Sequence, residues 1–550
     1  MNSYISENYT CDSKGVYRRP NQADFKSSDS DVIEDELLKF ISSVEDRSVL
    51  SDSLRRGMTS WPMMYHLNSQ RANLLRPFNH LLTGQVLEFG AGCGAITRYL
   101  GELGAEVTAV ESSLRRAHIA RARTADLSQV TVVCDDIGAF RPPAKFDAVL
   151  LIGVLDQAAV FGGRNGAVDL LRQAASLLKP DGRLFLAIEN QLGLKYFAGA
   201  REDHLGLPFV GVDDGYSPTG VRTWGRRTLE KMTIAAGLSH VKTFISSPDY
   251  KLAQTVIDPE LIEHRPDIAA GLLQNVFADP QRPAAATFSL EQAWRLACMN
   301  GLAVDLANSF LMLASHEAHP SSDVLAWHYA TNRQRAYTKA TRFRLKDGGL
   351  AVEREALAPE AGDVSPLQWV LGDEFAYWGV NWWGGLVHIL NHPYWSVDHL
   401  VEWMTPWLNA VAQEPPVGSD WPDQALPGER LDHIPQNASR GAGGAFTFFG
   451  DEWRLTKPIT LGLLAFRSLN LGLPRVTSVA QPASGTPIVL GALISEVFAR
   501  LGADLSTQRL NDYLAFEDQF QGWVTGMDIR GGSAAVAYSL GKLTVRGTQA

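Results

Sequence analysis

"QVLEFGAGCG", Gln85–Gly94, is the stretch on which the reading of this chain turns. Val86, Leu87 and Phe89 supply a short apolar strand, and glycines at 90, 92 and 94 interrupt it. The next residues, "AITRYLGELG", have helical spacing and close on Gly104. A strand that enters a helix through alternating glycines makes a turn where the backbone can come close to a ligand. A tight turn without a ligand uses the same residues, so the neighbouring segments have to decide.

Working outward, "AEVTAVES", "VTVVCDD", "FDAVLLIGVL" and "RLFLAIEN" read as strands. They alternate with the helical patterns "LRRAHIARARTA" and "AVDLLRQAASLLKPDG". Strand and helix units of this length imply an α/β fold, a parallel sheet with helices on both faces. Glu111 ends the second strand, where a carboxylate can hold ribose hydroxyls. Asp135 and Asp136 end the third, where an acid can accept from an adenine amino group. Glu88, two residues before the first glycine, would repel a pyrophosphate and attract the amino group of a methionine moiety.

With these residues in place, the segment 84–240 resembles the class I S-adenosylmethionine-dependent methyltransferases. The resemblance rests on the E-x-G-x-G-x-G loop from Glu88 to Gly94, on Glu111, on the acidic pair and on the "FDAVLLIGVL" strand. It implies a Rossmann-like domain with S-adenosyl-L-methionine as cofactor. By resemblance Gly90, Gly92 and Gly94 line the methionine part, with Glu88 near its amino group, and Glu111 holds ribose. Asp135 and Ile137 flank adenine, with Asp136 the other member of the pair, and Gly153 and Leu155 lie near the transferable methyl. The cofactor brings its own leaving group, so the protein mainly positions and desolvates, and a hydroxyl acceptor also wants a general base.

Candidates for that base follow the fourth and fifth strands. Asp156 closes the fourth, and "IENQLGLKYFAGAREDHLGLPF" carries Glu189, Lys195, Asp203 and His204 on a long run placed where a lid would sit. His204 beside Asp203 could act as the base; solvated loop residues would read the same way. Upstream, "MMYHLNSQRANLLRPF" brings Tyr65, His66 and Arg71 on a helix that in the resembled family closes over the cofactor. The strings "YHLNSQRANLL", "IENQLGLKYFAGA" and "SPDYKLAQTV" together resemble methyltransferases of bacterial surface-polysaccharide and sugar modification.

A second pattern lies downstream. "LDHIPQN", Leu431–Asn437, places Asp432, Pro435 and Asn437 at the spacing of a phosphotransferase catalytic loop, with Asp451 following in "FFGDEW". "DVLAWHYA", "AYTKATRFRL" and "LAVEREAL" read as three strands before it. The region resembles a degenerate protein-kinase-like domain. Arg354 stands where a nucleotide-binding lysine is expected, and "YATNRQRAY" has no glycine to make a phosphate loop. Glu374 is a candidate helix-borne partner for a basic residue. The expectation is a kinase-like accessory domain without catalysis and no metal. Were the site active, Asn437 and Asp451 would hold the ion and Asp432 would be the base.

The 550 residues correspond to about three or four domains. The expected division is an N-terminal extension with a helical cap over 1–80, its first 30 residues loosely ordered, and a methyltransferase domain over 81–258. A helical linker over 259–320, the α+β kinase-like domain over 321–475 and a helical region over 476–550 follow. A net charge of −10 argues against bulk nucleic-acid binding. Four cysteines, none in a C-x-x-C pair, fit a reducing cytoplasm and indicate no zinc site. The polar "MNSYISENYTCDSKG" shows no secretory pattern, and no apolar run reaches the length of a membrane span. Peripheral membrane contact and homo-oligomerisation stay open. The expected function is methyl transfer to a hydroxyl of a sugar or glycan. The alternatives are a small-molecule acceptor and a bifunctional methyltransferase–kinase. The tryptophan-rich "YWGVNWWGG" could stack on sugar rings or form helix core.

Overall fold

The computed structural model describes residues 5–20, 30–318, 322–347, 349–359, 366–375, 381–416, 418–531 and 536–546. Its centre is built as the hydrophobic pattern requires. Strands β1 (Thr10–Cys11) and β2 (Val16–Arg18) form a hairpin ahead of β3 (Gln85–Phe89), β4 (Glu106–Glu111), β5 (Val130–Cys134), β6 (Phe146–Ile152) and β7 (Leu178–Glu189). The order β2-β5-β4-β3-β6-β7 is parallel throughout. Successive side chains of a strand face opposite ways, so each strand feeds two cores. Leu87, Phe89, Val149 and Leu151 pack on one face with Leu171 and Ala174 of helix Gly166–Ser176. Val86, Ala109, Ala148 and Leu150 pack on the other with Ile96 and Leu100 of helix Ala95–Glu102.

Beyond β7 the sheet changes sense. Strands β8 (His240–Ser247), β9 (Thr255–Ile257) and β10 (Ser309–Ser315) continue it, and β10 lies between β7 and β8, antiparallel to both. The sheet at this point runs β5-β4-β3-β6-β7-β10-β8. This corrects the reading of 259–320 as a helical linker. Its helices Pro259–His264, Pro266–Leu273 and Leu290–Met299 are present, but "SFLMLAS" is a strand inside the sheet. Phe310 and Met312 enter one core and Leu311 and Leu313 the other. A strand buried on both faces shows no alternation, and an unbroken apolar run does not tell strand from helix.

The N-terminal segment is a second correction. Of the 30 residues expected to be loosely ordered, 5–20 are described, and β2 extends the parallel sheet beside β5; 1–4 and 21–29 lie outside the described residues.

The three strands expected after residue 321 exist as β11 (Val324–Ala330), β12 (Lys339–Lys346) and β13 (Gly349–Ala356). They do not form a sheet of their own. β11 pairs with β9, so they prolong the same sheet, and Glu374–Phe375 pairs with β13 as a short edge strand, not a helix. A separate core gathers helices Trp383–Leu390, Val397–Val411, Leu461–Gly472, Leu490–Arg500 and Thr507–Thr525. Trp395 and Trp407 are fully buried there, and their indole N–H groups donate to the carbonyls of Ala480 (2.8 Å) and His433 (2.9 Å). Trp383 belongs to the same core, while residues 376–380 of the tryptophan-rich run lie outside the described residues. Among the described residues no helix is long and apolar enough to cross a membrane.

Candidate active site

The glycine loop closes β3 onto helix Ala95–Glu102, and each glycine has a different reason. Gly90, Gly92 and Gly94 all have positive φ, at 73°, 55° and 78°. A Cβ at Gly90 would sit 2.5 Å from Val154, and one at Gly94 would sit 2.8 Å from the Ala120 backbone. At Gly92 it would meet nothing within 4 Å, which leaves the backbone there open to a ligand. Glu111 fastens the loop from β4: one carboxylate oxygen accepts from the Gly92 N–H at 2.7 Å, the other from the Ser113 N–H at 2.9 Å. Glu88 is buried and accepts from the Thr97 hydroxyl at 2.6 Å. Burial pushes its pKa up to about 8, and burial raises that of Glu111 too. Both carboxylates border a cavity of about 160 Å³ with Gly92, Gly153, His66 and Arg71. A desolvated pair of acids suits a cationic ligand, which would replace the protons with its own charge.

A larger cavity of about 780 Å³ adjoins it and shares Ser112, Ile137, Val154 and Phe161. Asp136 and Ile137 line it. Asp135 does not. Its fully buried carboxylate accepts from Tyr9 and from Arg19 Nε at 3.0 Å, on the N-terminal segment. The expected place of Asp135 beside adenine is therefore corrected: its carboxylate is turned away from the cavity that Asp136 lines, because adjacent residues leave a strand end on opposite sides. Leu155 is likewise corrected: it is fully buried in the core, while Gly153, Val154 and Gln157 face the cofactor cavity.

Beyond Gly153 lies a buried charge cluster drawn from several loops. His204 Nε2 stands 3.5 Å from Asp156 Oδ2 and 3.6 Å from Glu189 Oε2. His204 Nε2, Asp156 Oδ1 and Glu189 Oε2 are all buried without a hydrogen-bond partner among the described residues. Burial opposes charge on the imidazole, but Glu189 and Asp156 outweigh it and hold its pKa up to about 9. Burial raises Asp156, whereas Lys251 and His204 overcome burial and keep Glu189 well below the usual range. Glu189 forms an ion pair with Lys251, and Gln157 donates to Asp156 at 2.9 Å.

Asp203 faces away from His204. It is buried between Lys195 (3.2 Å) and Lys251 (3.3 Å) and accepts from the Tyr196 hydroxyl at 2.9 Å. The expected Asp203–His204 pair is thus replaced by His204 with Asp156 and Glu189, and Asp203 is a counter-charge for two lysines. Asp249, also paired with Lys195 at 3.3 Å, completes that ion network. Asp249 and Lys251 lie within "SPDYKLAQTV", whose Asp-Tyr-Lys triplet was the available signal for them. Arg71 donates to the Lys251 carbonyl at 3.1 Å and stacks on Tyr65, so the N-terminal helices brace this loop from behind.

Residues 87–184, from β3 to β7, match the model of a family described as a methyltransferase domain. This segment is a methyltransferase domain. Its methyl donor is S-adenosylmethionine, and the cavity at Glu88, Gly92 and Glu111 has the charge and the open backbone to receive it. The ubiquinone biosynthesis O-methyltransferase of Methylocella silvestris is 33% identical over 164 residues, 28% of this chain and 58% of that protein. The demethylmenaquinone methyltransferase of Tropheryma whipplei is 36% identical over 100 residues, 18% of this chain and 39% of that protein. The chain therefore spans well under two thirds of the length of these curated relatives. Among solved structures, the CcbJ methyltransferase from Streptomyces caelestis aligns over 49% of this chain and 98% of its own, with 17% identity and a TM-score of 0.29.

The methyltransferase domain does not reach the second motif, and the geometry there departs from that of an active phosphotransfer site. Asp432 Oδ2 accepts from the backbone N–H groups of Glu452 (2.9 Å) and Trp453 (2.8 Å), so it staples a loop. Asn437 donates to the Asp432 carbonyl at 3.0 Å. Asp451 faces His433 at 3.4 Å. Arg354 does pair with Glu374. Among the described residues no cluster of three His, Cys, Asp or Glu side chains is placed to hold a metal ion.

Proposed function

We propose that the chain is an O-methyltransferase acting on a hydroxylated small molecule with an apolar part, with His204 as the general base. The observation that carries this is the convergence of three buried polar atoms that make no hydrogen bond among the described residues, on His204, Asp156 and Glu189, just past the cofactor cavity. Buried polar groups are rarely left unpaired, and such a set suits an acceptor hydroxyl and its proton. S-adenosylmethionine supplies an electrophilic methyl on a sulfonium. The chain's own residues do the rest. Glu88, Gly92 and Glu111 hold the donor, Asp156 and Glu189 orient the imidazole, and neutral His204 takes the hydroxyl proton at Nε2. Lys195 and Lys251 balance the carboxylates of the cluster.

The run that carries His204 also exposes Leu205, Leu207 and Phe209, which supports an acceptor with an apolar body. Of the two relatives named above, one takes its name from ubiquinone biosynthesis and the other from demethylmenaquinone, which supports a small-molecule acceptor. A sugar or glycan hydroxyl is the second reading, favoured by an amide-lined cavity behind the site. The kinase-like resemblance of 321–475 adds an accessory role in binding and no catalytic step.

The test is purified protein with methyl-labelled S-adenosylmethionine and separated small-molecule, lipid-linked glycan, protein and nucleic-acid fractions. Label in the small-molecule fraction, lost with Glu111→Ala, is the expected result. Label in the glycan fraction alone would move the acceptor to the second reading. Label in protein or nucleic acid alone would refute both.

A further inference from the structure

Away from the methyl-transfer cavity, a cavity of about 440 Å³ lies where β11 and the loop after it face the C-terminal core. Among the described residues eight amide side chains line it, Gln254, Gln274, Asn332 and Gln436 among them, and no carboxylate does. Amides carry a donor and an acceptor side by side, the same pattern that a sugar hydroxyl presents. Two features of this wall stand without partners. Both amide atoms of Gln436 are buried with no hydrogen bond among the described residues. The guanidinium of Arg475, at the end of the turn Leu473–Arg475, makes no hydrogen bond or ion pair among the described residues.

The neighbouring cleft, which shares Gln436 and Arg475, shows how unusual that is. Its other basic residues are matched: Arg333 and Lys339 pair with Glu452, Arg354 with Glu374, and Arg467 with the buried Glu517. Arg475 is half-buried, and a cation partly withdrawn from water without an anion beside it leaves room for a ligand that brings the charge. Burial and the nearby Arg467 charge hold Arg475 below the usual arginine range, in keeping with a missing counter-charge. One spare cation beside a wall of amides fits one anionic group on a polyhydroxylated body. A nucleotide polyphosphate would want more cations and a metal, and Asp432 and Asp451 are engaged elsewhere.

We propose that this cavity is a second binding site, for a phosphorylated sugar, with the phosphate on Arg475 and the ring hydroxyls on Gln436 and the neighbouring amides. The short helix Gln70–Asn73 separates it from the methyl-transfer site: Gln70 faces this cavity, Arg71 the other.

Calorimetric titration of the full chain tests it, with glucose 1-phosphate, glucose, inorganic phosphate and adenosine diphosphate as probes. Glucose 1-phosphate should bind about tenfold or more tighter than glucose or phosphate alone. Arg475→Gln and Gln436→Leu should each weaken it by about tenfold, with S-adenosylmethionine binding unchanged as the control for folding. If Arg475→Gln fails that control, Gln436→Leu alone decides. Glucose 1-phosphate that binds no better than phosphate, or equally well in the folded variants, would overturn the site. So would tighter binding of adenosine diphosphate.

Discussion

At the scale of single residues, the acceptor chemistry hangs on His204. Its imidazole is protonated until the pH reaches about 9, so the catalytic rate should rise with pH toward that value. His204→Gln should lower kcat by about 10²- to 10³-fold and remove this limb, while the Kd for S-adenosylmethionine changes little. A variant that kept the limb would move the base elsewhere. Glu111 does two things, since it binds Gly92 and faces the donor cavity. Glu111→Ala should therefore weaken S-adenosylmethionine by tenfold or more in a direct binding titration. These two residues were legible in the sequence for different reasons. Glu111 follows from its place at the end of β4, the strand beside the one that feeds the glycine loop. His204 was visible as a residue type on a lid, but its partners were not, because Asp156 and Glu189 reach it from separate strand ends and the neighbouring Asp203 points the other way.

At the scale of elements, β2 and β10 show how far the pattern carries. The N-terminal hairpin is tied down by Tyr9 and Arg19 on the buried Asp135. Arg19→Leu would leave that carboxylate short of a partner and should cost about 3 kcal/mol, read as a lower denaturant midpoint. S-adenosylmethionine binding should weaken with it, since Asp136 and Ile137 follow directly in the chain. Strand β10 is buried on both faces, and Phe310→Ala should cost about 3–5 kcal/mol in the same measurement. The glycine loop and the strands β3 to β7 were readable because alternating faces and punctuating glycines leave a local signal. β10 was not, because a strand with no solvent face has no alternation to read.

At the scale of the whole molecule, one sheet joins the methyltransferase half to the strands that follow it. A chain ended at residue 318 would bare the edge of β9 that β11 covers and should be recovered largely in the insoluble fraction. The C-terminal half is held at its junction by Glu452, whose pKa Arg333 and Lys339 bring down to about 2 against the effect of burial. An unfolded glutamate titrates near 4.3. Between these values the unfolded chain binds a proton that the native chain refuses. The stabilisation from this carboxylate is thus complete above about pH 5 and lost as pH falls through about 2. Acid titration should show Glu452→Gln less stable than the parent at pH 7 and closer to it near pH 2.

Local sequence alone determined the α/β class, the donor loop from Glu88 to Gly94, the carboxylate at Glu111 and the three strands β11 to β13. Each of these depends on spacing along the chain, which the residues carry themselves. Only the tertiary structure decided that Asp136 and not Asp135 lines the larger cavity beside the donor site, that β10 threads between β7 and β8, and that His204 meets Asp156 and Glu189. It also decided that Arg475 stands without an anion among the described residues. Those outcomes depend on which distant segments are brought together and on which charges are shut away from water, and neither is written in the order of neighbouring residues.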